Sequence, residues 1–292
     1  MLIVDRRGDI MIRQLFEEDQ VFFTLMETGI NDDYIERIFP SLTKGNHVLY
    51  GLFVEDQLVS MAGYTVFSNY YAMLGRLRSD RRFQGKGYST SLLAFVIERA
   101  KDDSNVEWIG ANTERDNLPA QKILARLHMK KVTTLFNATR VTAPDTSFNE
   151  AITWKEIVDI EAKQDLLIKE FVDEHRVFPY ECYYSFPATL SLFLEANVND
   201  WCLFQHPTED RFVIFKYDQK GTNYLHMVYP WDDLWTQEGL WEVVRNQVQL
   251  FNEKFPEGKL WIDLSETQKS LKPEDVTFEI PSPWILFEVK RD

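Results

Sequence analysis

Two glycines and a run of cations carry the clearest chemistry in this chain. Residues 84–89 read Gln84-Gly85-Lys86-Gly87-Tyr88-Ser89, and Arg76, Arg78, Arg81, Arg82 and Lys86 stand around them against a single acid, Asp80. An apolar repeat follows at once, with Leu92, Leu93, Val96, Ile97 and Ala100 at three- and four-residue spacing. Gly85 and Gly87 therefore sit where a helix starts. The first N–H groups of a helix have no internal partners, and the macrodipole puts partial positive charge there. Glycine leaves those groups unblocked, so a strand, a glycine turn and a helix N-terminus together suit a pyrophosphate. An ordinary tight turn and a solvated basic face are the competing readings, and their adjacency favours the anion site. A phosphate-loop hydrolase would need Ser or Thr after a Gly-Lys pair to ligate magnesium; Gly87 follows Lys86 instead.

The elements that position this turn can be read on both sides of it. An extended segment, 72–79, leads into it. Upstream lie a strand over 9–15 and helical material with Phe16, Val21, Phe22, Leu25 and Met26 on one side. A second helical piece over 32–39 stops at Pro40. Strands over 47–54 and 57–65 join at Glu55-Asp56 as a hairpin. Downstream, a strand over 106–113 precedes Asn117-Leu118-Pro119, which opens a helix over 120–127 with proline in its first turn. A strand over 131–141 closes the series.

The second half repeats this order loosely. Residues 154–175 and 188–196 read as helices, and 201–205, 211–217 and 224–229 as strands. A helix over 240–255 carries Val243, Val244, Val248 and Phe251 on one face. A strand over 259–264, a short helix over 266–271 and a final strand pair, 276–280 with 284–289, complete it. At the matching strand-to-helix junction the chain reads YPWDDLWTQEGL, with Asp232, Asp233 and Glu238. A turn lined by carboxylates would repel phosphate.

Composition draws the same division. The 292 residues accommodate one large domain or two of about 145. Residues 1–146 hold 18 Lys+Arg and 19 Asp+Glu, a net of −1; residues 147–292 hold 14 and 27, a net of −13. The shift falls beside the turn-rich TAPDTS at 142–147, which predicts domains over 1–145 and 146–292. The acidic half disfavours nucleic acid. Among the apolar runs none approaches the roughly 18 residues of a membrane helix, and MLIVDRRGDI lacks the order of a signal peptide, so a cytoplasmic protein is expected. Cys182 and Cys202 give neither a disulfide framework nor a metal-site spacing, and no metal is expected.

The first half resembles the GNAT superfamily of acetyl-CoA-dependent N-acetyltransferases. Its fingerprint is Q/R-x-x-G-x-G/A, and Gln84 to Ser89 fits it except at the last position, where Ser89 replaces Gly or Ala. Asn117-Leu118-Pro119-Ala120 matches a second family feature, an Asn before a short helix, although His128-Met129 stand for its closing Gly-Phe. The resemblance covers about residues 9–142. It implies an α/β (α+β) fold with a mixed central sheet flanked by helices, and the element order extends this to two tandem GNAT-like domains, the second degenerate and without the pyrophosphate loop. It also implies acetyl-CoA as co-substrate. The pantetheine arm would lie along the strand ending at Ser79, with backbone from Leu77, Arg78 and Ser79 near the thioester. The pyrophosphate would take Gly85, Lys86, Gly87, Tyr88, Ser89 and Thr90 after Gln84, and Asn117 would bind the cofactor or hold the strand beside it.

Transfer to an amine poses a proton problem. Deprotonating a lysine-like amine with pKa near 10.4 costs roughly 4 kcal/mol at neutral pH. Many family members use a Glu on the fourth strand as base and a tyrosine of the last helix as acid; Met73 and Leu124 stand near those places here. Tyr64 and Glu114 are the replacement candidates, against the readings of a half-buried core tyrosine and a solvated strand-end charge. The expected activity is acetyl transfer to a small-molecule or peptide amine by direct attack, with no nucleic-acid or membrane partner and oligomerisation possible. A non-catalytic acyl-CoA-binding regulator is the alternative.

Overall fold

Hairpin chemistry builds the first sheet. The computed structural model describes residues 3–4, 10–144 and 152–289. Strands β1 (Ile3–Val4), β2 (Ile10–Leu15), β3 (His47–Val54), β4 (Gln57–Phe67) and β5 (Tyr71–Ser79) pair in that order, each antiparallel to the last. Glu55 and Asp56 join β3 to β4 with φ of 47° and 62°. Such a two-residue turn matches the twist of the paired strands. Between β2 and β3 lie the short helices α1 (Gln20–Thr24) and α2 (Tyr34–Ile38). Asp33 caps α2 by accepting from the Ile35 N–H. Helix α2 ends before Pro40, as expected from the sequence, and residues Phe39–Thr43 follow as a 3₁₀ turn with the proline near its start.

Helix α3 (Tyr88–Lys101) then crosses to β6 (Trp108–Glu114), which pairs parallel to β5 over Tyr71–Leu74. Leu92, Leu93, Val96, Ile97 and Ala100 of α3 are all buried, as their spacing predicts. Helix α4 (Leu118–Arg126) follows. By contact, the first unit comprises residues 1–113, 117–132 and 287–292. Its last segment is drawn in by β6: the Val289 N–H donates to the Ile109 carbonyl at 2.9 Å, and the Trp108 indole to Glu288 at 3.3 Å.

The second unit comprises residues 114–116 and 133–286. Its sheet runs β7 (Lys130–Arg140), β14 (Lys259–Leu264), β13 (Asn223–Val228), β12 (Phe212–Gln219), β11 (Cys202–Gln205) and β8 (Lys155–Ile157), with β13 and β14 parallel. Strand β7, read from sequence as the close of the first half, pairs with β14 from Phe136 to Arg140. The expected domain boundary at 145, within TAPDTS, lies outside the described residues, as does Asp9. Helix α7 (Leu240–Lys254) packs Val243, Val244, Val248 and Phe251 on the core face. The short α8 (Glu266–Ser270) carries a capping box between Ser265 and Gln268.

Three expectations in this half are corrected. Residues 154–175 are not one helix: β8 comes first, Asp159 caps α5 (Ile160–Leu167), and a π turn over Ile168–Val172 ends it. The segment 188–196 forms a 3₁₀ turn and the four-residue α6 (Glu195–Val198), preceded by a hairpin of β9 (Val177–Glu181) and β10 (Tyr184–Pro187) that the sequence reading missed. Prolines 179 and 187 obscure it as a strand signal. Finally, residues 276–280 do not pair with β15 (Trp284–Glu288); Glu279 bridges to Thr139 of β7 instead.

Candidate functional site

Strand β5 changes character halfway along. Tyr71 to Leu74 are buried and paired on both sides, to β4 and to β6. The pairing with β6 stops at Leu74 and Ala111, although both strands continue. Opposite β4 the register shifts, because Gly75 faces Gly63 while Arg78 faces Met61. The extra residue is accommodated at Arg76, whose φ is +56°. A bulge of this kind bends the strand and re-aims its groups. Gly75 to Ser79 are only half-buried. A chain segment with partly open backbone therefore leads straight to the glycine turn.

The turn has the predicted geometry. Gly85 and Gly87 take φ of +81° and +82°, and Gly87 is the N-cap of α3 with no side chain capping it. A Cβ placed on either glycine would meet nothing within 4 Å. The glycines thus serve the backbone conformation and an open approach, not packing. No acid occupies the first turn of α3. Tyr88, Ser89 and Thr90 are half-buried there, and Gln84 and Lys86 are exposed.

The cations divide into two groups. Arg78 makes a two-pronged ion pair with Asp33, Nε to Oδ2 at 2.6 Å and Nη2 to Oδ1 at 2.9 Å. Burial pushes the Asp33 carboxyl up, but the Arg78 hydrogen bonds and the Ile35 N–H hold it below its ordinary value. Arg82 grips the buried Asp80 through Nε and Nη2, and its hydrogen bonds lower that carboxyl in turn. Arg81 reaches the Gly29 carbonyl at 3.2 Å and Arg82 the Leu25 carbonyl at 3.1 Å, while the Glu27 N–H donates to Asp80. Three of the five cations thus fasten residues 25–33 to the turn. Among the described residues no carboxylate pairs with Arg76 or Lys86; Lys86 lies 5.1 Å from the Phe83 ring centre.

The other predicted residues fall in different surroundings. Tyr64 is 6% exposed in β4, and burial pushes its phenol up to about 12. Burial is the largest cause of that rise, ahead of the charges around it. Glu114 is exposed at the end of β6 and belongs to the second unit by contact. Asn117 caps α4, its Oδ1 accepting from the Ala120 N–H at 3.2 Å. His128 takes φ of +57° after that helix, while the Met129 N–H bonds back to the Leu124 carbonyl. It holds the left-handed position that a glycine commonly fills. Leu124 is buried, and Leu77 is half-buried.

In the second unit the corresponding helix start is filled. Gly239 is the N-cap of α7 with φ +73°, but a Cβ there would meet the Ile152 carbonyl at 2.4 Å and the Trp154 ring at 3.1 Å. The Trp154 indole donates to the Glu238 carbonyl at 2.9 Å. Of the acids read as phosphate-repelling, Asp233 is held by Arg211 at 2.9 Å and by the Tyr229 hydroxyl at 2.6 Å. The chain itself therefore occupies the space at this helix start. The sequence signal was the Trp154 that the helical reading absorbed.

No curated protein matches the chain by sequence. A solved GCN5-related N-acetyltransferase from Sphaerobacter thermophilus is similar over 98% of this chain and 96% of its own, at 13% identity and a TM-score of 0.59. A putative acetyltransferase from Pyrococcus horikoshii is similar over 97% and 90%, at 11% identity and a TM-score of 0.50. At these identities the likeness is one of fold. The family model of the GNAT acetyltransferases matches residues 12–129, which contain the bulged strand, the glycine turn, α3 and α4. The chain therefore carries, over these residues, an acetyltransferase domain of the GNAT family, whose co-substrate is acetyl-CoA.

Proposed function

We propose that this protein transfers the acetyl group of acetyl-CoA to a small-molecule or peptide amine by direct attack. The observation that carries the reading is the open, left-handed glycine pair at the start of α3, set at the end of a strand whose pairing to β6 has just ended. Pyrophosphate would take N–H groups from Gly85 to Thr90, with Gln84 beside them and Lys86 or Arg76 supplying charge. Leu77, Arg78 and Ser79 would contribute backbone to the pantetheine arm and thioester, since the Arg78 side chain is engaged by Asp33. Asn117 would act through α4, which it caps.

In the reaction the amine lone pair forms the new C–N bond to the thioester carbon. The C–S bond breaks, CoA leaves as thiolate, and the amine's proton must be passed on. An acyl-cysteine route lacks support, because burial raises the thiol pKa of both Cys182 and Cys202. Tyr64, enclosed and near 12, is poorly placed to trade protons at neutral pH, which leaves exposed Glu114 as the candidate base. We further propose a tandem arrangement, with the second half a degenerate GNAT-like domain.

The test is free-CoA release with acetyl-CoA and a broad panel of amines and polyamines. Acceptor-stimulated release is expected. Tight acetyl-CoA binding without stimulated release across the panel would instead support the non-catalytic regulator.

A further inference from the structure

The glycine turn has few anchors. Across residues 84–90, the Gln84 N–H bonds to the Arg81 carbonyl at one end, and the Gly87 carbonyl accepts from the Ser91 N–H at the other. Neither glycine would touch a neighbour even with a Cβ. Among the described residues, the side chain of this turn that hydrogen-bonds to the sheet is Ser89. Its Oγ lies 2.5 Å from the Ser79 Oγ at the end of β5 and 3.5 Å from the Ser60 Oγ on β4. Ser60 is fully buried, is paired in register with Ser79, and donates to the Arg78 carbonyl at 3.1 Å. The Ser79–Ser89 bond therefore joins the first turn of α3 to the end of β5, with the Ser60 hydroxyl of β4 alongside it.

Ser89 occupies the last fingerprint position, where Gly or Ala would offer no such bond. An N–H cradle stabilises a phosphate only while its donors stay aimed, and a turn held by backbone alone must be ordered on binding. We propose that Ser89 is a positioning residue for the pyrophosphate, holding the first turn of α3 on Ser79 so that its N–H groups are ordered before the cofactor arrives. The proposal rests on the acetyl-CoA reading of this turn. It adds a determinant of cofactor affinity that lies in this chain's own hydroxyl network.

Calorimetry with acetyl-CoA and with pantetheine, which lacks the pyrophosphate, tests it. Ser89→Ala is expected to weaken acetyl-CoA binding roughly five-fold, the worth of one ordinary hydrogen bond, and to leave pantetheine binding unchanged. Ser79→Ala breaks the same bond from the strand side, so the double variant should be no weaker than either single one. Unchanged acetyl-CoA affinity in both single variants, or losses that add in full, would overturn the proposal. So would an equal loss for pantetheine, which would mark a general disturbance of the strand. Failure of the unaltered protein to bind acetyl-CoA is a different result, since it removes the cofactor reading itself.

Discussion

Gly87 allows backbone strain and charge to be separated at one residue. Its φ of +82° disfavours any L side chain, by about 1–2 kcal/mol, yet a Cβ there would meet nothing within 4 Å. Gly87→Ala should therefore lower the melting temperature modestly and weaken acetyl-CoA binding less than tenfold. Gly87→Glu adds the same strain plus a carboxylate against the phosphates. Like charges about 4 Å apart near a surface repel by on the order of 4 kcal/mol, so its loss of affinity should exceed about 100-fold. Isothermal titration of the two variants checks this. Equal losses would mean that the turn does not face phosphate.

At the scale of elements, the two helix N-termini set a stoichiometry. Gly87 before α3 is open, and Gly239 before α7 has the same left-handed backbone but is covered by Ile152 and Trp154. One acetyl-CoA per chain is expected in titration, and Gly87→Glu should abolish all binding. Residual binding at half the original capacity would show a second cradle. How this could be read from sequence differs by element. The β3–β4 hairpin, α3 and α7 were legible because their periodicity and turn residues are local signals. The hairpin of β9 and β10 was not, since its prolines hide the alternation. Nor was the role of the cations: local counting set five of them against Asp80, whereas Arg78 is paired with Asp33, 45 positions away. The Ser79–Ser89 bond was equally hidden, because a fingerprint reading scores Ser89 only as a mismatch. Trp154 begins the segment 154–175 that reads as helical, and the bond from its indole N–H to Glu238 is not visible in that pattern.

At the scale of the whole molecule, the two units should answer pH differently. In the first, Asp19, Asp33 and Asp80 have lowered carboxyl pKa values, so their stabilisation is present above the ordinary carboxylate range and is lost only as pH falls through it. The second unit buries a base. Lys216 is enclosed, donating to the carbonyls of Pro179 and Tyr180 at the β9–β10 hairpin, with the Phe178 and Trp201 rings 4.5 and 5.1 Å away. Burial lowers it to about 7, against the raising effects of Cys182, Asp263, Asp218 and Glu181. Opposite it on β13, His226 donates through Nε2 to Asp263 at 2.7 Å, and burial followed by the Lys216 charge pushes its pKa down. An unfolded lysine keeps its proton to about 10.4, so above pH 7 the unfolded chain binds more protons and stability rises with pH. The rise should be readable between pH 7 and about 8.5; beyond that, ionisation of the unfolded cysteines opposes it, since burial raises the Cys182 thiol in the fold. Lys216→Met removes the titrating group at similar length. The melting temperature of the unaltered protein relative to this variant should therefore rise from pH 7 to pH 8.5. A difference that stays flat across that interval would mean that Lys216 keeps its proton in the folded chain, and that the hairpin is held by an ammonium.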